Sequence, residues 1–254
     1  RSFKGPVVSV DLNLGEFDTL YSDDVQPVKQ VVSHLIEEHN FSDIAYVTGL
    51  KDHPHAKKRL EGYCEALVEH GLPIDKDKIY FGNFWYSCGD RIADEILNSG
   101  RPLPQAIAFA SDYMAIGTME AFKARGISVP EDVVVVGYDS TTAGMTYFPC
   151  VTSAELPSKV TGGRAVDFLH AKITGKPVPK YADEKPEIRV GSSCGCGKNL
   201  MEEEFKITRR WRDEDYDMGF SSSNNNMLEG LLSESNLHSY LEVLCHFAYQ
   251  LGEI

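Results

Sequence analysis

An α/β protein built on a parallel sheet is the fold class this sequence predicts, and three observations carry it. Short apolar runs alternate strictly with amphipathic ones from residue 6 to about residue 191, with short links between them. Such alternation builds βαβ units, which in turn build a parallel sheet. One run, Val133–Val136, is apolar throughout, as a strand covered on both faces must be. Gly71, Gly100 and Gly126 each follow an amphipathic run, where a helix takes its end cap.

The elements follow in order. Pro6–Val10 predicts a strand ending at Asp11, and Val28, Val31, Val32, Leu35 and Ile36 then repeat at helical spacing. Ile44–Val47 predicts a strand closing at Thr48 and Gly49. Leu60, Tyr63, Cys64, Leu67 and Val68 form the next helical stripe. Ile79–Phe81 is the third strand, and Ile92, Ile96 and Leu97 mark the helix after it. Ala106–Ala110 and Val133–Val136 are the next strands, with a helix over Asp112–Arg125 between them. Past Pro149 come a short strand, Val151–Ala154, a helix through about Ile173, and a last strand, Glu187–Val190. From residue 198 the character changes to charged and then amphipathic, with Leu228, Leu231, Leu232, Leu237, Leu241, Leu244 and Phe247 near helical spacing beyond the polar linker Ser221–Asn226.

Composition excludes several classes. Hydrophobic residues at 42% and charged residues at 25% match a folded domain rather than a disordered chain. Acidic side chains number 38 against 25 basic, a net charge of −13, whereas coating a nucleic-acid backbone takes clustered Lys and Arg. No apolar run approaches the ~18–20 residues of a membrane span. Cys64, Cys88, Cys150, Cys194, Cys196 and Cys245 are scattered rather than densely spaced, which predicts reduced thiols in a cytoplasmic protein. Cys194-Gly195-Cys196 is the one close pair. A structural zinc takes four ligands from separated pairs, and Cys245-His246 could complete a set only by folding back, so neither a metal nor another cofactor is expected.

In an open parallel sheet, ligands collect at the carboxyl ends of the strands. Those ends carry Asp11, the Gly49–His55 loop, Gly82–Tyr86, Ser111-Asp112 and Tyr138-Asp139, all polar or aromatic. An enzyme motif also presents itself, since Gly191–Gly195 satisfies G-x-S-x-G after a strand. Only His238 and His246 lie downstream, in the charged tail, which makes a poor hydrolase triad. No dinucleotide fingerprint, P-loop or H-E-x-x-H is present, and no enzymatic activity is expected.

Several separated motifs agree in register with one family. Ala56–Tyr63 (AKKRLEGY), His70-Gly71, Ala110–Gly117 (ASDYMAIG), Gly126–Asp132 (GISVPED) and Val136–Asp139 (VGYD) stand in the order and spacing of the LacI/GalR effector-binding core. Over residues 6–191 the chain resembles that core, which shares the periplasmic-binding-protein fold of two Rossmann-like lobes around a ligand cleft. On this resemblance, residues 1–25 are a partial first lobe and first crossover, 26–148 a complete second lobe, and 149–175 a return segment of the first lobe. Residues 176–197 are the last crossover and final strand, and 198–254 a helical signalling or dimerisation tail. About three βα units of the first lobe and the family's helix-turn-helix would precede residue 6, so the chain is read as a fragment or a shortened member.

The resemblance implies a binding protein for a sugar or related polar metabolite, acting as a homodimer, with DNA bound only through a module outside this chain. Arg59 falls on the position whose guanidinium grips ligand oxygens, and Asp139 on a carboxylate that accepts from ligand hydroxyls. Asp11 matches a first-lobe acceptor. Phe84 takes the aromatic stacking position, with Trp85 its alternate. Ser111 stands where many members carry Asn and has a shorter reach. His53 and His55 occupy a loop where sugar-binding members often carry small hydroxyls. They either meet an anionic or purine-like ligand or are solvated. Two other settings share the cleft: the sensor of a signalling protein such as a GGDEF diguanylate cyclase or a histidine kinase, and a periplasmic sugar-binding protein.

Overall fold

The computed structural model describes residues 5–11, 13–154, 158–180 and 186–196. The 198–254 tail, with its expected helix, lies outside the described residues. A six-stranded sheet forms the centre, in the order β4-β3-β5-β6-β7-β8. Its strands are β3 (Ile44–Thr48), β4 (Ile79–Phe81), β5 (Ala106–Phe109), β6 (Val134–Tyr138), β7 (Thr152–Ala154) and β8 (Ile188–Arg189). Every residue of β3, β5 and β6 is buried, because helices cover both faces.

The helices are α1 (Val25–Glu37), α2 (Pro54–Glu69), α3 (Gly89–Leu97), α4 (Asp112–Ala124), α5 (Thr142–Thr146) and α6 (Ser158–Thr174). The α2 crossover leads from β3 toward one edge, whereas α3 and α4 lead the other way. Right-handed crossovers therefore put α2, packed on α1, over one face and α3, packed on α4, over the other. The direction of winding changes at β3 and β5, so a crevice opens at their carboxyl ends.

Two close approaches set the helix positions. A Cβ on Gly62 would lie 2.3 Å from the Val25 carbonyl oxygen, so only glycine lets α2 pass the start of α1. A Cβ on Gly89 would lie 2.2 Å from the backbone of Gly117, where α3 crosses α4. Between the first helix pair and the sheet, Tyr46 and Tyr63 stack at 4.8 Å, and the Tyr63 hydroxyl donates to the Ile44 carbonyl at 2.9 Å.

Four details differ from the sequence reading. A strand at Asp18–Leu20 (β2) pairs in parallel with β1 (Val8–Val10), in register Val8 to Asp18, and the pattern DTL is too short to signal it. The five-residue α5 is likewise below the length at which periodicity speaks. Residues 149–175 were expected to return together to the first lobe. Instead β7 pairs in parallel with β6, Val136 opposite Thr152, and only α6 packs on β1 and β2. Because α6 leaves the six-stranded sheet, the chain re-enters it from the far end, and β8 lies antiparallel to β7 where a parallel strand was expected.

Gly62→Ala forces α1 away from α2 and is expected to destabilise the fold by about 1–3 kcal/mol in urea titration. Gly163→Ala in α6, where a Cβ meets nothing within 4 Å, is expected to stabilise it by about 0.5–1 kcal/mol.

Candidate functional site

The carboxyl ends of β3 to β6 border an open cavity of about 270 Å³ lined by His53, His55, Arg59, Phe84, Trp85, Ser111, Tyr113 and Asp139. Seven of the eight residues singled out in the sequence are thus brought together. A larger open groove of about 590 Å³ lies at the amino ends of β6 and β7, and none of those eight residues lines it.

Arg59 sits on the buried stripe of α2, one turn before Gly62. A guanidinium tolerates burial only if its donors are paired. Its Nε donates to Asp24 Oδ1 at 2.9 Å and its Nη1 to the Ala110 carbonyl at 2.6 Å. Nη1 also lies 3.3 Å from Asp139 Oδ1, and the guanidinium carbon sits 3.7 Å from the centre of the Tyr138 ring. Nη2 makes no hydrogen bond to any described residue, which leaves its two N–H donors unpaired among those residues.

Asp24 organises this arrangement, and the sequence reading missed it. Asp23 does the local work at the start of α1, accepting from the backbone N–H groups of Val25 and Gln26 at 2.9 and 3.1 Å. Asp24, in the N-cap position, makes no capping bond and is buried. It accepts from Arg59 and from the Tyr138 hydroxyl at 3.0 Å, and its second oxygen pairs with His55 Nδ1. The available signal was an arginine on an apolar helical stripe, which demands a buried carboxylate, beside two adjacent acids where capping needs one. Tyr113, also missed, lies in the first turn of α4 with its ring 5.3 Å from Trp85.

Asp139 follows β6 in left-handed backbone, φ 99°, a region that Asp and Asn tolerate better than most residues. Burial pushes its carboxyl up to about 6, against the pull of Arg59. Neighbouring Asp112 is wholly buried, and burial raises it to about 7. Its oxygens accept from Thr141 N at 2.7 Å, from the Thr141 hydroxyl at 3.0 Å and from the Ser153 hydroxyl at 2.7 Å. Those bonds fix the loop after Asp139.

The aromatic wall rests on glycine. A Cβ on Gly49 would lie 2.0 Å from the Phe84 ring, so Phe84 occupies space that only glycine leaves open. His53 meets Phe84 edge-on at 5.2 Å, and its Nδ1 is buried without a hydrogen-bond partner among the described residues. Trp85 is 57% exposed and stands at the rim. Ser111 lines the cavity with its hydroxyl already committed, accepting from Tyr113 N at 3.2 Å and donating to the Phe84 carbonyl at 3.0 Å.

Asp11 does not line the cavity. Its carboxylate accepts from the Ser22 backbone N–H at 2.6 Å and from the Ser22 hydroxyl at 2.9 Å. Ser193, the serine of G-x-S-x-G, is fully buried. It accepts from Thr152 N at 2.9 Å and donates to the Val135 carbonyl at 2.5 Å, so it is no exposed nucleophile. Cys245 and His246 lie outside the described residues. Among the described residues, Cys194 and Cys196 instead meet His34 and His39, away from the cavity.

Comparison with known proteins fits this geometry. Residues 32–194 match the family described as periplasmic binding protein-like domain. The transcriptional repressor PurR of Glaesserella parasuis is 32% identical over 197 residues, 74% of this chain and 57% of that protein. The transcriptional regulator CelR of Thermobifida fusca is 34% identical over 154 residues, 61% of this chain and 45% of that protein. The chain spans about half the length of the curated relatives it matches. Among solved structures, a sugar-binding LacI-family regulator from Escherichia coli in complex with phosphate superposes with TM-score 0.68 at 26% identity, over 74% of this chain and 68% of that one. A CelR–cellobiose complex superposes with TM-score 0.65 at 30% identity, over 73% and 58%.

Two outcomes follow from this geometry. Asp24→Ala strands the buried Arg59 and is expected to cost about 3–5 kcal/mol in chemical denaturation. Asp139 is raised in the fold, so the folded state holds a proton that the unfolded chain releases between about pH 4 and 6. Wild-type stability contributed by this group therefore falls as pH rises through that window. Asp139→Asn is expected to gain stability relative to wild type from about pH 4 to 6 and to hold that gain above it.

Proposed function

The chain belongs to the periplasmic binding protein-like domain family, the effector-binding fold of LacI/GalR regulators, and on that premise we propose that it senses a carbohydrate or similar polyhydroxylated metabolite for a transcriptional regulator. The observation that supports the reading best is the composition of the cavity wall. A paired Arg59–Asp139 edge offers donors beside acceptors, and Phe84 and Trp85 offer flat faces. Sugars present the matching surface, with hydroxyls at the rim and an apolar ring face. The relative solved with cellobiose points to the same ligand class.

Arg59, Asp139, Phe84, Trp85, His53 and His55 are the proposed ligand contacts. Ser111 contributes by shape, its hydroxyl being occupied, and Asp11 belongs to the side of the cleft formed by β1 and β2. In this reading the protein is a cytoplasmic homodimer with no enzymatic activity and no membrane association, and DNA is bound by a module outside these residues. No described helix is long and apolar enough to cross a membrane. The ligand acts by binding one arrangement of the cleft better than another, which shifts the population between them.

Calorimetry against cellobiose and a panel of mono- and disaccharides tests the proposal. Saturable binding by at least one sugar is expected. Asp139→Asn keeps shape and backbone preference but removes the charge, and a hydrogen bond to a charged group contributes about 1.5–3 kcal/mol, so affinity should drop about 10–150-fold. Affinity of the wild type should also fall below about pH 6, as Asp139 takes up its proton. A protein that binds no sugar of the panel, or an Asn variant of unchanged affinity, would overturn the reading.

A further inference from the structure

Four metal-binding donors converge at the end of α1 remote from the cavity. His34 lies in the last turn of α1, and His39 follows just after the helix. Cys194 and Cys196 come from the turn after β8, a segment distant in sequence. His39 Nε2 is 2.9 Å from Cys196 Sγ, and His34 Nε2 is 3.2 Å from the same sulfur. The donor atoms of all four residues lie within 4.8 Å of one another.

A tetrahedral zinc held at about 2.0–2.1 Å by nitrogen and about 2.3 Å by sulfur has its ligand atoms roughly 3.3–3.8 Å apart. The observed spacing brackets that range, so small rotamer adjustments complete the tetrahedron. The backbone presents the sulfurs in advance. Ser192 accepts from Cys150 N at 3.0 Å through its hydroxyl, and Ser193 N donates to the Cys150 carbonyl at 2.9 Å. Val135 N donates to the Ser193 carbonyl at 3.0 Å, which seats the turn against β6. Gly195, at φ 79°, then reverses the chain so that the flanking cysteines meet the same two histidines. Cys194 is buried and Cys196 exposed, so the cluster has an inner wall and an entry from solvent.

We propose that His34, His39, Cys194 and Cys196 form a structural zinc site that clamps the turn after β8 to α1. Two thiolates and two imidazoles suit zinc, whereas calcium and magnesium require oxygen ligands. Four protein ligands close the coordination shell and leave no position for a reactive water, which makes the site structural. Binding releases the two thiol protons, one from each cysteine, and leaves both imidazoles neutral.

The 254-residue chain, purified under reducing conditions, tests the proposal by elemental analysis and by cobalt(II) titration. One zinc per chain is expected. Cobalt(II) should give the visible spectrum of tetrahedral coordination with a thiolate charge-transfer band, and zinc should erase it. Loss of an outer-shell partner alone weakens metal sites about 10–100-fold, so His34→Ala and Cys196→Ser should lower affinity at least that much. Cys245→Ser should change nothing. Circular dichroism checks that each variant is folded, and the wild-type cobalt spectrum decides the matter even where a variant is not. Absence of a tetrahedral cobalt spectrum, a disulfide between Cys194 and Cys196 in the reduced preparation, or loss of metal in Cys245→Ser would each overturn it.

Discussion

The buried contact between Asp24 and Arg59 is the interaction on which the rest of the cavity depends. A guanidinium out of water is costly, and Asp24, the Ala110 carbonyl and the Tyr138 ring together offset that cost. The contact joins the start of α1, the middle of α2 and the ends of β5 and β6. It forms only because Gly62 lets α2 come within reach of the Val25 backbone. Helix packing and site chemistry are therefore one constraint. The glycine that permits the crossing also sets the distance at which the carboxylate meets the guanidinium.

That constraint explains the division of roles among the cavity residues. Arg59, held on three sides, is a rigid donor rather than a mobile arm, which suits selective recognition of hydroxyls. Asp139 is less enclosed, with a side chain 26% exposed, and its carboxyl sits near the middle of the pH range. Phe84 and Trp85 supply surface. The conformational cost of ordering these groups is met in the unliganded fold, which leaves more of the contact energy for a guest.

Much of this was legible in the sequence, because the inner strands β3, β5 and β6 are wholly buried and advertise themselves as apolar runs. Gly71, Gly100 and Gly126 sit in left-handed backbone at helix ends, as their positions predicted. Most of the cavity residues were legible for a topological reason, since parallel strands deliver their carboxyl-end loops to one edge, whereas Arg59, inside α2, was named only through the resemblance to the LacI/GalR core. What stayed hidden depends on contacts between distant segments. Asp24 stands at the start of α1 with no signal of its own, and only the approach of Arg59 shows its role. Asp11 reads as a site acid at a strand end, but Ser22 takes both its oxygens. The pairing of His34 and His39 with the Cys194–Cys196 turn could not be read either, because spacing rules find ligands that are near in sequence. The short β2 and α5 escaped because three and five residues carry no period.

Helix α1 gives these separate features a common mechanics. Its 13 residues make a rod about 20 Å long. Asp24 stands at one tip, inside the cavity wall, and His34 at the other, against Cys196. A rod of this length turns a tilt of about 3° into about 1 Å of travel at its far end. Arg59 and the cavity wall bear on one end of this lever through Asp24, and its other end bears on the turn that carries Cys194 and Cys196. The cavity wall and the cysteine turn are mounted on the same arm.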